Sequence, residues 1–320
     1  MKRLSIIVLS LVMAISAMAQ IRIATPDIEL ILKADVGGGV QIQYFGERLS
    51  DVDAANLGAS GVPNHNAYPA YGLWCASEAS LGVTHSDGNM STSLRVESVD
   101  RSDEPSAQVT RIRMKDTVYP FYVTVCYRAY KDVDMIETWT EIENLEKKPV
   151  VLTRFDSGYL PIRLGDVWVS HLHGTWANEG LLVQEPLERG MRVIKNKDGS
   201  RNSHTDHAEV MFSLDGKPQE NVGRVIGAAL CYSGNYELRI DTRDTDYHEF
   251  YAGINPDNSA YVLESKEVFR TPELALTFSD EGLSGASRNF HRWGRKYRLA
   301  HGDKERKILL NSWEGVYFDI

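Results

Sequence analysis

Phe121–Tyr130 reads FYVTVCYRAY. Phe121, Val123, Val125, Tyr127 and Ala129 fall on one side of an extended chain, and Tyr122, Thr124, Cys126, Arg128 and Tyr130 fall on the other. That period of two over ten residues is the signature of a β-strand. The same character spreads in both directions, through residues 28–32, 109–114, 133–143, 150–155, 167–173, 225–232, 236–241 and 274–278. Turn signals separate the runs: Asp87-Gly88-Asn89, Asp198-Gly199-Ser200, Asp215-Gly216 and Ser233-Gly234-Asn235. Strands this numerous and closely spaced predict a mainly β protein, a large antiparallel sandwich over residues 20–279. The same close spacing argues against alternating βαβ units. Residues 54–72, rich in Gly and Asn, form the longest stretch without periodicity and read as a loop.

Beyond the sandwich one helix is expected over 281–301. Leu283, Ala286, Phe290, Trp293 and Tyr297 recur at spacings of three and four and make one apolar stripe. Ser279 or Asp280 is placed to cap its start, and Arg292, Arg295, Lys296 and Arg298 crowd its last turns, where the helix dipole favours cations. The stripe reads as a packing face. Residues 280–305 thus form a linker to a final segment, 306–320, that contains the apolar run Ile308-Leu309-Leu310. Such a run suits a strand buried on both faces in a parallel sheet. Parallel strands need neighbours reached through crossovers, so this one is expected to open a domain whose remainder the chain does not contain.

At 320 residues, 42% hydrophobic and 25% charged, the chain has room for a large core. Lys2 and Arg3, an apolar stretch from Leu4 to about Ile15, and Ala17-Met18-Ala19 follow the order of a signal peptide over residues 1–19. The apolar part is too short for a stable membrane span, which predicts an exported protein, periplasmic or secreted, with no membrane span after cleavage. Loss of the two cations Lys2 and Arg3 takes the formal charge from −9 to −11. An acidic surface without a Lys/Arg cluster argues against a nucleic-acid partner. Of the three cysteines, Cys126 and Cys231 sit in apolar runs and read as buried thiols, whereas Cys75 lies in a turn-rich stretch and reads as exposed or functional. His171, His173, His204 and His207 lack the Cys or carboxylate spacing of a metal site, and no phosphate-cradling loop or nucleophile elbow is present. No metal or cofactor is expected.

The C-terminal Asn311-Ser312-Trp313-Glu314-Gly315-Val316-Tyr317-Phe318-Asp319 resembles the segment that opens the catalytic barrel of the melibiase-type α-galactosidases, glycoside hydrolase family 36. Upstream stretches resemble that family's N-terminal domain in matching order. They are Tyr68-Pro69-Ala70-Tyr71-Gly72, Val83-Thr84-His85-Ser86-Asp87-Gly88, Glu137-Thr138-Trp139-Thr140 and His173-Gly174-Thr175-Trp176-Ala177. Ser203-His204-Thr205-Asp206-His207, Ala252-Gly253-Ile254-Asn255-Pro256 and Ser279-Asp280-Glu281-Gly282-Leu283 complete the set.

The resemblance implies an N-terminal β-supersandwich followed by the first strand of a truncated (β/α)8 barrel. It also implies retaining hydrolysis of terminal α-linked galactose in oligosaccharides, and a homo-oligomer, a tetramer in the family. Retaining glycosidases place two carboxyl groups about 5 Å apart. In the family these are aspartates on later barrel strands, so no catalytic residue is assigned here and the chain alone is expected to be inactive. Of the family's substrate contacts only Trp313 is carried over, its indole offering both an apolar face and an N–H donor to a sugar. Glu314 and Asp319, five apart on an expected strand, face opposite sides and take structural or orienting parts. One departure stands out. Where many relatives continue the Tyr-Pro-x-Tyr-Gly stretch into an Asp-x-Arg pair that reaches a neighbouring subunit's active site, this chain has Cys75 and Ser77. Serine cannot supply an arginine's bidentate clamp. Trp74 and Cys75 are left as the loop's candidate contacts. The competing reading is a non-catalytic β-sandwich that binds carbohydrate or a partner protein, and the barrel-like ending weighs against it.

Overall fold

A computed structural model describes residues 19–35, 37–57, 67–72, 77–199, 205–244 and 246–319. Nearly all of the expected leader, 1–19, lies outside them. Strands run from Ala19 to Ser279 and pair antiparallel throughout. FYVTVCYRAY is a strand over its full length, and its expected inward positions Phe121, Val123, Val125, Tyr127 and Ala129 are all buried.

The largest sheet has ten strands. Across it run Asn178–Pro186, Trp168–Thr175, Glu209–Ser213, Val225–Leu230, Leu274–Ser279, Ile136–Asn144, Phe121–Tyr130, Ala107–Asp116 and Leu94–Asp103, with Val268–Arg270 also pairing to Ile136–Asn144. A six-stranded sheet follows the order Gly190–Lys195, Tyr236–Asp244, Tyr247–Ile254 and Val150–Ile162, with Tyr261–Leu263 and Leu81–Thr84 both on the last. Ala19–Ala24, Ile28–Ala34 and Val40–Glu47 form a third sheet. The two large sheets share one core, where Phe212 of the first meets Phe250 of the second at 5.1 Å between ring centres. Inward side chains at every second position are what bury this apolar area, the main favourable contribution to folding.

The linker helix spans Gly282–Trp293 and continues as a π-turn over Gly294–Arg298, shorter than the expected 281–301. Its start is not capped by Ser279 or Asp280 in the expected way. Ser279 Oγ accepts from Glu281 N at 3.1 Å, while the amides of Gly282, Leu283 and Ser284 donate to the carbonyls of Gly223, Gln219 and Glu220. A neighbouring loop thereby satisfies the donors that a helix start leaves open. The helix lies on strands Val225–Leu230 and Leu274–Ser279, where Gly227 is required: a Cβ there would fall 2.6 Å from the Phe290 ring.

The expected strand at 308–310 is not formed. Ile308, Leu309 and Leu310 are fully exposed irregular chain, and Ser312–Val316 forms a short helix whose Trp313 amide donates to Asn311 Oδ1 at 3.1 Å. A parallel strand without neighbours leaves its backbone groups unpaired, so 308–310 stay irregular and only 312–316 closes a local helical turn. The opposite-face argument for Glu314 and Asp319 lapses with the strand. This exposed apolar stretch invites association. Deleting everything after Arg298 is expected to lower the scattering intensity of the purified chain; equal or greater aggregation would count against that.

Candidate functional site

Strand Tyr236–Asp244 alternates Glu237, Arg239 and Asp241 with Leu238, Ile240 and Thr242. The apolar set enters the core and the charged set covers the outer face of the six-stranded sheet. Register brings Arg239, Tyr251 and Tyr159 into one cross-strand row, and Asp241, Glu249 and Pro161 into the next. Beside them Asp156 sits opposite Gly253, at a bulge where a Cβ on residue 253 would lie 2.6 Å from Asp156 Cα. Tyr68 and residues 77–80 lie against this polar face.

Arg239 is the hub. Its guanidinium pairs with Asp156, lies 3.1 Å from Glu237 and 3.5 Å from Glu78, and stacks 4.6 Å over the Tyr251 ring. Arg154 adds a second cation 3.0 Å from Glu237. Burial pushes the Asp156 carboxyl up, against the pull of Arg239 and Arg154. Glu249 is fully buried, and its Oε1 accepts from Ser77 Oγ at 2.7 Å, Tyr159 OH at 2.8 Å and Tyr247 OH at 3.1 Å. Burial, with Glu249 alongside, raises the Tyr159 and Tyr251 phenols, and takes Tyr247 to about 12. These phenols therefore stay protonated at neutral pH, Tyr159 and Tyr247 as donors to Glu249, and serve no general-base role. Tyr68 OH donates to Asp156 O at 2.8 Å, and Asp156 N to Ser80 O at 2.9 Å. Tyr68, Ser77, Glu78 and Ser80 are thus fastened to the sheet on both sides of residues 73–76. The arrangement is a clamp on the residues that flank that segment. Trp74 and Cys75, the candidate contacts that segment carries, lie outside the described residues.

A second ionic socket holds the linker helix. Glu137 is fully buried, and accepts from Arg128 at 2.9 Å, Tyr130 OH at 3.0 Å and Trp293 Nε1 at 3.2 Å, with Arg298 at 3.8 Å. Trp293 and Arg298 come from the helical segment, so one carboxylate ties helix to sheet. From there the chain runs to Trp313, which is half exposed and packs edge-on against Tyr317 and Phe318 at 5.8 and 4.8 Å.

The remaining candidates fall apart into separate pairings. His173 meets Asp206 at 3.0 Å and His207 meets Glu209 at 3.3 Å, while His171 is buried and His204 lies outside the described residues. Among the described residues no group of three or more His, Cys, Asp and Glu is arranged to hold a metal ion. Cys126 is a buried free thiol that burial pushes up to about 12, which removes it as a nucleophile. Among the described residues no helix is long and apolar enough to cross a membrane.

The family model described as glycosyl hydrolase family 36 N-terminal domain matches residues 38–264, and the melibiase model matches 268–320 directly after it. The chain belongs to glycosyl hydrolase family 36. Among family 36 relatives, α-galactosidase AgaA of Geobacillus stearothermophilus is 31% identical over 220 residues, covering 68% of this chain and 30% of that protein. α-Galactosidase Mel36A of Lactobacillus acidophilus is 29% identical over 220 residues, with the same coverage. The solved structure of AgaA superposes with a TM-score of 0.84 at 26% identity, covering 94% of this chain and 46% of that one. A variant of AgaA in complex with stachyose gives 0.85 at 25% identity. The chain therefore spans less than half the length of these relatives.

Seen as family 36 motifs, the stretches quoted above are mostly joints. Tyr68 ties its segment to the sheet, Glu137 holds the linker helix, and buried His85 pairs with Glu146 at 2.7 Å beneath the Tyr119 ring. Sequence reading missed the Arg239–Asp156 and Glu249 networks. The strict charge alternation at Glu237, Arg239, Asp241 and Arg243 was the available signal, since four charges at period two mark a sheet face that is not core.

Proposed function

We propose that this chain is the N-terminal part of an exported, retaining α-galactosidase that removes terminal α-linked galactose from oligosaccharides. The observation carrying this is the unbroken succession of the N-terminal-domain match, 38–264, and the melibiase match, 268–320. The α-galactosidase relatives and the stachyose complex of an AgaA variant support the substrate class. In this reading the catalytic aspartates stand on later barrel strands, and Trp313 contacts the sugar through its indole. The sandwich has two jobs. The Glu137 socket fixes how the chain enters the barrel, and the Arg239–Glu249 network holds Tyr68 and residues 77–80 to the sheet; Trp74 and Cys75 are the candidate contacts to substrate in a homo-oligomer. Export rests on the leader-like residues 1–19, and the two hydrolytic carboxylates need no cofactor.

The 320-residue chain is expected to leave p-nitrophenyl α-galactoside intact, whereas the same sequence continued through a family 36 barrel hydrolyses it. Turnover by the 320-residue chain would sink the division of labour. A continued chain that prefers another glycoside would sink the substrate assignment.

A further inference from the structure

On one side of the sandwich both large sheets end in an edge strand, Asn178–Pro186 on the ten-stranded sheet and Gly190–Lys195 on the six-stranded one. Register fixes which side chains point between the sheets there. Glu185 lies in the row of Val169 and Phe212, and Arg192 lies beside Ile240; those three apolar neighbours are core residues. Glu185 and Arg192 therefore meet between the sheets, where Nη1 and Nη2 of Arg192 donate to the two carboxylate oxygens of Glu185. Bidentate pairs of this kind are among the strong hydrogen-bonded contacts. The pair latches one sheet edge to the other. Each partner is about one third exposed, and a cleft of about 310 Å³ lined by residues 185–192 and Thr242 opens beside it.

His171 stands directly behind the latch. It follows Val169 on the same inward face and is buried, with Nε2 3.7 Å from Glu185 Oε1. That is too long for a hydrogen bond, and neither Nδ1 nor Nε2 has a partner among the described residues. The charged groups around the ring are Glu185 from one edge strand, Arg192 from the other, and Asp206, which pairs with His173. Strand Glu209–Ser213 turns Val210 and Phe212 into this core, and Tyr236–Asp244 turns in Tyr236, Leu238 and Ile240. Of these only the Tyr236 hydroxyl titrates, and burial keeps it neutral. His248, also buried, has both ring nitrogens satisfied, by Thr242 Oγ1 at 2.9 Å and the Leu164 carbonyl at 3.0 Å. An imidazolium at His171 would carry two N–H donors. The one on Nδ1 meets no acceptor, and the one on Nε2 can reach only Glu185, the carboxylate that holds Arg192. Burial, and then Arg192, hold the His171 pKa below its ordinary value against the pull of Asp206 and Glu185.

We propose that His171 is an acid-triggered release for this latch: a proton on the imidazole draws Glu185 off Arg192 and lets the two edge strands part. The sign follows from the neutral ring being the form that the fold accepts. Stability of the closed edge is whole above about pH 6.5 and is lost as pH falls through the lowered folded-state value. The release uses no barrel residue and is independent of the galactosidase reading.

Amide hydrogen exchange of the 320-residue chain at about pH 7.5 and about pH 5.5, corrected for the pH dependence of the chemical rate, is the test. Protection of Asn178–Pro186 and Gly190–Lys195 should fall at least about tenfold on acidification, the ratio that one pKa unit represents. Protection of Phe121–Tyr130, paired on both sides, should hold. His171→Gln should remove most of the fall, and His173→Gln should keep it. No fall in the unaltered chain, the same fall in His171→Gln, a fall removed equally by His173→Gln, or an equal fall across Phe121–Tyr130 would each overturn the proposal. If His171→Gln does not fold, proton NMR of the unaltered chain decides. A ring that titrates below about pH 6.5 together with the loss of edge protection supports the release, and nine histidines all charged before protection falls overturn it.

Discussion

Arg239→Met is expected to cost about 3–5 kcal/mol in urea unfolding, because it leaves the buried Asp156 carboxylate with only Arg154, 3.9 Å away. Both side chains are nearly inaccessible, 5% and 3% exposed, so solvent cannot replace the lost partner. Glu237 keeps Arg154 at 3.0 Å, which confines most of the damage to Asp156 and Glu78. The Tyr68 anchor uses the Asp156 carbonyl and survives the change. Combining Arg239→Met with Asp156→Leu removes the uncompensated charge, and the double variant should recover about 1–3 kcal/mol relative to the sum of the single changes. Strict additivity, or a single-variant cost under about 1 kcal/mol, would show that water or another group reaches Asp156 and that the clamp is not a closed network.

These networks mark the boundary of what local sequence pattern conveys. FYVTVCYRAY was readable as a strand because the inward set, Phe121 to Ala129, is wholly apolar and the alternation is local. Strand Tyr247–Ile254 was not, since buried His248 and Glu249 interrupt its apolar run and make both faces look mixed. What allows Glu249 inside is Ser77, 172 positions earlier, with Tyr159, 90 positions earlier. No window of neighbouring residues holds that information. The helix was legible from Leu283, Ala286, Phe290, Trp293 and Tyr297, yet its cap was not, because loop 219–223 supplies it from 60 residues away in sequence. The run at 308–310 failed for the complementary reason. Its composition suits a buried strand, but strand formation is a property of neighbours, and here an Asn311-capped helical turn wins. The candidate residues divide in the same way: Trp313 comes forward from a contiguous motif, whereas the Arg239–Glu249 network exists only after the sheet has paired.

Glu137→Leu should detach the linker helix from the sandwich. Four groups converge on that carboxylate, two from the sheet and two from the helical segment, and leucine offers none of them an acceptor. Arg128 can still reach Glu104 at 3.4 Å, and Arg298 can still reach Glu273 at 3.6 Å, so neither cation is left wholly unpaired. Tyr130 OH and the Trp293 indole have no such alternative among their described hydrogen bonds, and burying them unpaired adds to the lost ion pair. A cost of about 3–5 kcal/mol follows for Glu137→Leu, against about 1–3 for Glu137→Gln, which keeps one acceptor oxygen. The two variants separate charge from hydrogen bonding. Amide hydrogen exchange gives the sharper test, since the helix joins the sheet through few elements while strand Val150–Ile162 is paired along its length. Protection of Gly282–Trp293 should fall in Glu137→Leu while protection of Val150–Ile162 holds, a sub-global opening confined to the helix. Uniform loss across both would mean that Glu137 supports the core rather than the joint, and that the direction in which the chain leaves the sandwich is set elsewhere, by the Phe290 contact over Gly227.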